Sequence, residues 1–127
     1  MKNIDLSFIT INYNSSIFTI KLIESIVAQT KDLSFEIIIV DNASKKDDLF
    51  KLKNFVSDKI NIKLIENSIN SGFASGNMLG INYAKGKYYF FINNDCTLLN
   101  NTSKILKDFL DFNEDVGLAT AKVLDNN

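Results

Sequence analysis

The amino-acid sequence predicts an α/β domain with a mostly parallel sheet and helices on both faces. Segments with strand spacing and segments with helix spacing alternate four times along the chain, and the polar connections between them are short. That order calls for right-handed crossovers between parallel strands. Ile37, Ile38, Ile39 and Val40 are four consecutive branched aliphatics, as expected of a central parallel strand covered on both sides. The 127 residues, 46% of them hydrophobic and 23% charged, make a single domain, 1–127. A chain of this size removes about two-thirds of its unfolded surface from water, so its core needs no disulfide or metal staple.

The first strand spans residues 6–11, apolar and rich in β-branched side chains, and runs into Asn12-Tyr13-Asn14-Ser15-Ser16. Ile20, Ile23, Ile26 and Val27 then recur at helical spacing, with Ser15 or Ser16 as the N-cap. The second strand, 35–40, closes on Asp41-Asn42-Ala43-Ser44. Leu49, Leu52, Phe55 and Val56 mark a second helix, and Ile60, Ile62, Leu64 and Ile65 a third strand. Residues 67–71 form a polar turn before a helix over 73–84. A strand over 88–92 ends at Asn93-Asn94-Asp95. Ile105, Leu106, Phe109, Leu110 and Phe112 mark a fourth helix, and residues 116–120 start a fifth strand.

Composition excludes several functions. Fourteen basic residues, all Lys, stand against 15 acidic ones for a net charge of −1, without the basic face that a nucleic-acid reader needs. There is no His, so no imidazole base or imidazole metal ligand exists within the chain. The single Cys96 forms no internal disulfide, which fits a reducing, cytoplasmic setting. No apolar stretch has the length of a signal core or a membrane span.

In a doubly wound sheet the binding crevice lies beyond the carboxyl ends of the strands. The candidate residues are therefore those at 12–15, 41–44, 67–72 and 93–96. Asp41 either accepts hydrogen bonds from a ligand or caps the turn that follows it. Asn93-Asn94-Asp95 either puts an oxygen on a divalent cation shared with a diphosphate or is a polar loop with left-handed asparagines. Gly72, Gly76, Gly80 and Ala84 share one helical face, although each glycine costs about 1 kcal/mol of helix propensity. Close packing on the sheet, backbone approach to a phosphate at the helix N-terminus, or both would offset that cost. Cys96 reads as a buried structural thiol, having no basic neighbour in sequence to activate it.

Taken in order, four stretches resemble the inverting glycosyltransferases of family 2, which have the GT-A (Rossmann-like) fold, and within them the rhamnosyltransferase-like branch. They are residues 7–15, 36–44, 70–77 and 86–95, and they cover nearly the whole chain. The resemblance implies that Asn12, Tyr13, Asn14, Asp41 and Asn42 hold the base and ribose of a nucleotide-diphosphate sugar of UDP or dTDP type. It implies that Gly72, Gly76 and Asn77 lie against the nucleotide, with Asn93 and Asn94 beside it. Asp95 would match the last acid of the family's Asp-x-Asp motif and bind Mg2+ or Mn2+. The first acid of that motif is Asn93 here, a neutral ligand at best.

The acceptor implied is a growing glycan or a lipid-linked one, with the chain at the inner membrane face, although no basic amphipathic helix supports such attachment. The family's catalytic base lies beyond the Asp-x-Asp region. It is therefore expected past residue 127, in a fold cut short after about the fifth strand, which makes this chain the donor-binding half. The alternative is a non-catalytic nucleotide-binding or interaction module with the same fold. In either reading, apolar surface exposed after Ile105 would favour self-association. The receiver module of two-component signalling has a similar length and alternation, but it needs an Asp after its third strand and an acidic pair after its first. Those positions are Asn67 or Ser68, and Asn12 and Asn14.

Overall fold

The computed structural model describes residues 2–125, so the two ends of the 1–127 domain lie outside the described residues. Along the chain it runs β1 (Leu6–Asn12), α1 (Ser16–Gln29), β2 (Phe35–Asn42), α2 (Lys46–Val56), β3 (Ile62–Asn67), α3 (Gly72–Ile81), β4 (Tyr88–Phe91) and α4 (Thr102–Phe112). The four strands form one parallel sheet in the order β3-β2-β1-β4. Ile9 of β1 sits between Ile38 of β2 and Phe91 of β4.

Side chains alternate across the strands and so build two cores. Phe8, Ile37 and Ile39 pack with Leu22, Ile23 and Ile26 of α1 and Leu52 of α2. Ile9, Ile38 and Val40 face the other way, against Leu79 and Ile81 of α3. The run Ile37–Val40 is buried on both faces, as four aliphatics in a row require. On the α3 side the approach is close. A Cβ on Gly80 would stand 2.6 Å from Ile9 Cγ2, and one on Gly76 would stand 2.8 Å from Ile11 Cδ1. Packing on the sheet therefore accounts for these two glycines and offsets their helix cost.

The carboxyl-terminal part departs from expectation. No strand follows α4 among the described residues, so the expected fifth strand at 116–120 is absent. Gly117 and Ala119 give that segment little strand propensity, and β4 offers an edge of only four residues. The apolar residues of α4 do follow expectation in being exposed after Ile105: Leu106 and Leu110 are half-buried, while Ile105 is 64% and Phe112 88% exposed. Leu106 and Leu110 face a pocket that Leu6 and the residues of β4 also line. Polar contacts fasten the helix as well: Asp111 Oδ1 accepts from Lys87 Nζ at 2.6 Å and from Tyr88 Oη at 2.7 Å. No helix among the described residues is long and apolar enough to cross a membrane.

One buried hydroxyl is left over. Thr10, on β1, is 1% exposed, and its Oγ1 has no partner. Folding strips that group of water without replacing its hydrogen bonds, and the penalty for doing so is about 1–3 kcal/mol. Thr10→Val keeps the shape and is expected to raise stability by about 1 kcal/mol, read as a Tm a few degrees higher in thermal unfolding. A lower Tm would mean that the hydroxyl is satisfied in solution.

Candidate functional site

The carboxyl ends of all four strands open on one cleft of about 430 Å³. Its floor is Ile11 from β1 and Asn42 from β2. Tyr13 and Ser15 line it from the loop after β1, and Asn70, Gly72 and Phe73 from the turn between β3 and α3. Asn93, Asn94 and Asp95 follow β4 and close the opposite side.

The loop after β1 is held from below. Asn12 is fully buried, and its Nδ2 donates to Asp41 Oδ1 at 2.9 Å, Asp48 Oδ2 at 3.0 Å and Ser44 Oγ at 3.1 Å. Its Oδ1 accepts from Thr19 Oγ1 at 2.7 Å. Asp41 closes the turn after β2, taking Ser44 N at 3.0 Å and Ser44 Oγ at 2.6 Å. Inside that turn Ala43 has a positive φ of 62°, a left-handed geometry that costs a non-glycine residue roughly 1 kcal/mol or more. Asn14, at φ 50°, joins the two loops: its amide donates to Ser44 Oγ at 2.9 Å, and its Oδ1 accepts from Lys45 N at 2.8 Å.

The N-cap position of α1 is Ser15, which makes no side-chain capping bond. The orphan donor is met from another helix. Asp48 Oδ1 takes Ser16 N at 3.0 Å and Ser16 Oγ at 2.6 Å, which sets a carboxylate at the positive end of α1.

On the other wall, Asn42 Nδ2 donates to the Gly72 carbonyl at 3.1 Å, and Asn42 Oδ1 accepts from Asn67 Nδ2 at 3.2 Å. Gly72 itself adopts φ 83° with nothing near its missing side chain, a conformation that glycine reaches without strain. Across the cleft, Asn94 Nδ2 donates to Ser15 Oγ at 2.7 Å and Thr19 Oγ1 at 3.0 Å, which ties the β4 loop to α1. Neither Asn93 nor Asn94 has a positive φ.

Of the residues singled out by sequence, Tyr13, Asn42, Gly72, Asn93, Asn94 and Asp95 line the cleft. Asn12, Asn14 and Asp41 lie beneath or beside it as supports, while Gly76 and Asn77 are buried on α3. Ser15 and Asn70, which fall in the candidate segments 12–15 and 67–72, line the cleft too, whereas sequence reasoning passed over Phe73 as a lining residue and missed Asp48 as the cap of α1. Phe73 carried a usable signal, since it directly follows the glycine that turns the chain.

Cys96 is half-buried rather than fully buried. Burial first, and then the neighbouring Asp95 carboxylate, push its thiol above the ordinary value, which disfavours a thiolate nucleophile. No group of three or more acidic or cysteine side chains converges among the described residues to hold a metal by itself. Asp95 nevertheless offers one exposed carboxylate on the cleft wall. A hard cation that draws its remaining ligands from phosphate oxygens and water needs only one or two carboxylates, so this donor set fits a shared cation and not a caged one.

A family model described as glycosyl transferase family 2 matches residues 7–126. Two curated relatives, each described as an uncharacterized glycosyltransferase, come from Rickettsia bellii and Rickettsia felis, at 32% and 33% identity over 101 residues. The alignments cover 80% of this chain but only 14% and 16% of those relatives, so the chain spans a small part of their length. Among solved structures, S. aureus TarS 1-349 in complex with UDP-GlcNAc superposes with a TM-score of 0.74 at 26% identity, over 87% of this chain and 32% of that one. The mannosyltransferase PcManGT from Pyrobaculum calidifontis, in complex with GDP-Man and Mn2+, superposes with a TM-score of 0.72 over 84% of this chain and 32% of that one. At 17% identity it speaks for the fold alone.

Proposed function

The chain belongs to glycosyl transferase family 2 and has the GT-A-like α/β fold of its structural neighbours, and from that premise we propose that its cleft binds a nucleoside-diphosphate sugar for inverting transfer to a glycan or lipid-linked acceptor. One observation carries this reading. A cleft with both polar and apolar lining runs over the carboxyl ends of the parallel strands, with Asn42, Asn70 and Gly72 on one side and the carboxylate of Asp95 on the other. The similarity to TarS in complex with UDP and UDP-GlcNAc, at 26% identity, supports a uridine donor. A dTDP donor belongs to the same proposal, as does the rhamnosyltransferase-like branch, on the motifs at 70–77 and 86–95.

Inversion is a single displacement. The acceptor oxygen forms its bond to the anomeric carbon while the bond from that carbon to the diphosphate oxygen breaks on the opposite side, and the acceptor proton passes to a base. Asp95 is the only carboxylate lining the cleft among the described residues. We give it the diphosphate end, and with no second carboxylate on the cleft among the described residues to act as base, donor binding is the role proposed for them. Asp95, with Asn93 beside it, would hold Mg2+ or Mn2+. When bound, such a cation supplies Lewis-acid stabilisation of the departing nucleoside diphosphate. The chain's own residues keep the two walls in register through the Asn12 and Asn94 hydrogen bonds.

Thermal unfolding against UDP, dTDP, GDP and CDP, each with Mn2+ and again with EDTA, tests the reading. A ligand present at about 100 times its Kd adds about 2.7 kcal/mol of stability, which reads as a clear rise in Tm. The expected result is a Mn2+-dependent shift with UDP or dTDP that Asp95→Ala abolishes. No shift with any nucleotide would overturn donor binding by this chain, and a shift that survives in Asp95→Ala would remove the role given to that residue.

A further inference from the structure

We propose that Thr19, a fully buried residue of α1 that stands outside the cleft lining, is a positioning residue for the Asp95 carboxylate, an inference that rests on the donor-binding reading and deepens it. Asp95 is one corner of the turn 93–96, which Cys96 N closes by donating to the Asn93 carbonyl at 3.1 Å. The other corner, Asn94, has both hydrogens of its amide committed to the start of α1. One goes to Ser15 Oγ at 2.7 Å and one to Thr19 Oγ1 at 3.0 Å. What fixes Asn94 against α1 therefore fixes where the turn presents its carboxylate.

The order of donors and acceptors along these bonds is dictated from the far end. As carboxylates Asp41 and Asp48 can only accept, so the Asn12 amide turns its Nδ2 toward them, at 2.9 and 3.0 Å, and its Oδ1 toward Thr19. A hydroxyl has one proton. That of Thr19 goes to Asn12 Oδ1 at 2.7 Å, with the Ser15 carbonyl standing off at 3.5 Å, and its lone pairs are left for Asn94 Nδ2. Ser15 Oγ accepts from Asn94 too, but its own link to Asn12 Oδ1 is 3.4 Å long. Thr19 is thus the strong link between the acids beneath the first two loops and the loop that carries Asp95. Without its hydroxyl, one N–H of the half-buried Asn94 faces a methyl group, and the side chain regains that hydrogen bond only by leaving α1 for water.

Calorimetric titration with whichever of UDP and dTDP shifts the Tm, once with Mn2+ and once with EDTA, tests this on the wild-type chain, Thr19→Val, Thr19→Ala and Thr19→Ser. Loss of a supporting hydrogen bond behind a metal ligand weakens metal affinity by about 10-fold or more, so Thr19→Val and Thr19→Ala are expected to raise the Kd with Mn2+ by about 10-fold. The Kd in EDTA should stay unchanged, and Thr19→Ser should recover the wild-type value with Mn2+. Both deletions of the hydroxyl lower the Tm as well, so each titration is run well below it. Thr19→Ala, which suits a helix better than valine does, decides the matter if Thr19→Val does not fold. The proposal falls if the deletions bind with Mn2+ as the wild type does, or if serine fails to restore binding. It falls equally if the deletions weaken binding to the same extent with Mn2+ and with EDTA, which is the mark of a merely structural hydroxyl. In all three cases the donor-binding reading stands. A wild-type chain that binds equally with and without Mn2+ ends the role of Asp95 and this inference with it. If neither nucleotide binds the wild-type chain, the donor-binding reading itself falls.

Discussion

Replacing Gly86 with alanine is expected to cost about 3 kcal/mol of folding stability and lower the Tm by roughly 10 °C. Gly86 lies in the connection between α3 and β4, and a Cβ there would stand 2.5 Å from Ser7 N and 2.7 Å from the Leu6 carbonyl carbon. Those atoms are the backbone of β1, which is paired to β2 on one side and β4 on the other, so they cannot move aside. Retreat of the connection is costly too. Gly86 N donates to Ser7 Oγ at 2.8 Å, Lys85 N donates to Glu36 Oε1 at 2.6 Å, and Ser7 Oγ donates to the same Glu36 oxygen at 2.7 Å. Moving the loop would leave a buried carboxylate short of donors. Gly80→Ala should cost less, because its 2.6 Å clash is with a side-chain methyl of Ile9. Gly117→Ala, with nothing within 4 Å, should be neutral or slightly stabilising and serves as the control. Urea unfolding of the three variants checks the order. A Gly86→Ala chain as stable as Gly117→Ala would show that the start of β4 is free to shift.

The parts of the fold that were legible in sequence are those written locally. Ile37–Val40 announces a doubly covered strand by itself, and the polar runs at 12–16, 41–44 and 93–95 mark strand ends because apolar runs stop there. What was not legible depends on distant residues. Asp48 caps α1 from 32 residues away, and no spacing around Ser15 or Ser16 points to it. Asp41 has the same chemistry whether it faces a ligand or a turn, and only its 1% exposure and its bonds to Ser44 give it the turn. Phe73 looks in sequence like the first apolar residue of a helical face, yet the turn at Gly72 sets it outside the core. The stripe of α4 has correct helical spacing, but spacing says nothing of which of its residues are covered, Leu106 and Leu110 being half-buried and Ile105 and Phe112 exposed.

Asn12→Asp is expected to cost about 3–5 kcal/mol near neutral pH, with a deficit that shrinks as pH falls toward 4. The buried amide of Asn12 lies between two carboxylates, donating to Asp41 at 2.9 Å and to Asp48 at 3.0 Å. The substitution keeps the shape, removes that donor and sets a third carboxyl against the first two. Burial and like charge both raise the folded pKa of the introduced group above its unfolded value of about 3.9. Folding therefore favours the protonated form, and the penalty is small below the unfolded value and grows as pH rises. The native cluster runs the opposite way. Burial pushes the Asp48 carboxyl up, but hydrogen bonds from the Ser16 and Asn12 side chains and from the Ser16 amide outweigh it and leave it below its ordinary value of 3.8. That contribution is present above 3.8 and is lost as pH falls through the lowered value, so wild type and variant are best compared between about pH 4 and pH 7. Asn12→Leu, which removes the donor without adding charge, should cost about 3 kcal/mol with little change over that range. If Asn12→Asp shows the same flat deficit, the carboxylates at 41 and 48 are not felt at position 12, and another contact must hold the two loops together. If the deficit climbs with pH, the uncharged amide of Asn12 holds two acids together beneath the cleft, alongside the Asn14 bonds that join its loops. An asparagine is required there because it matches aspartate in shape while donating where aspartate would repel.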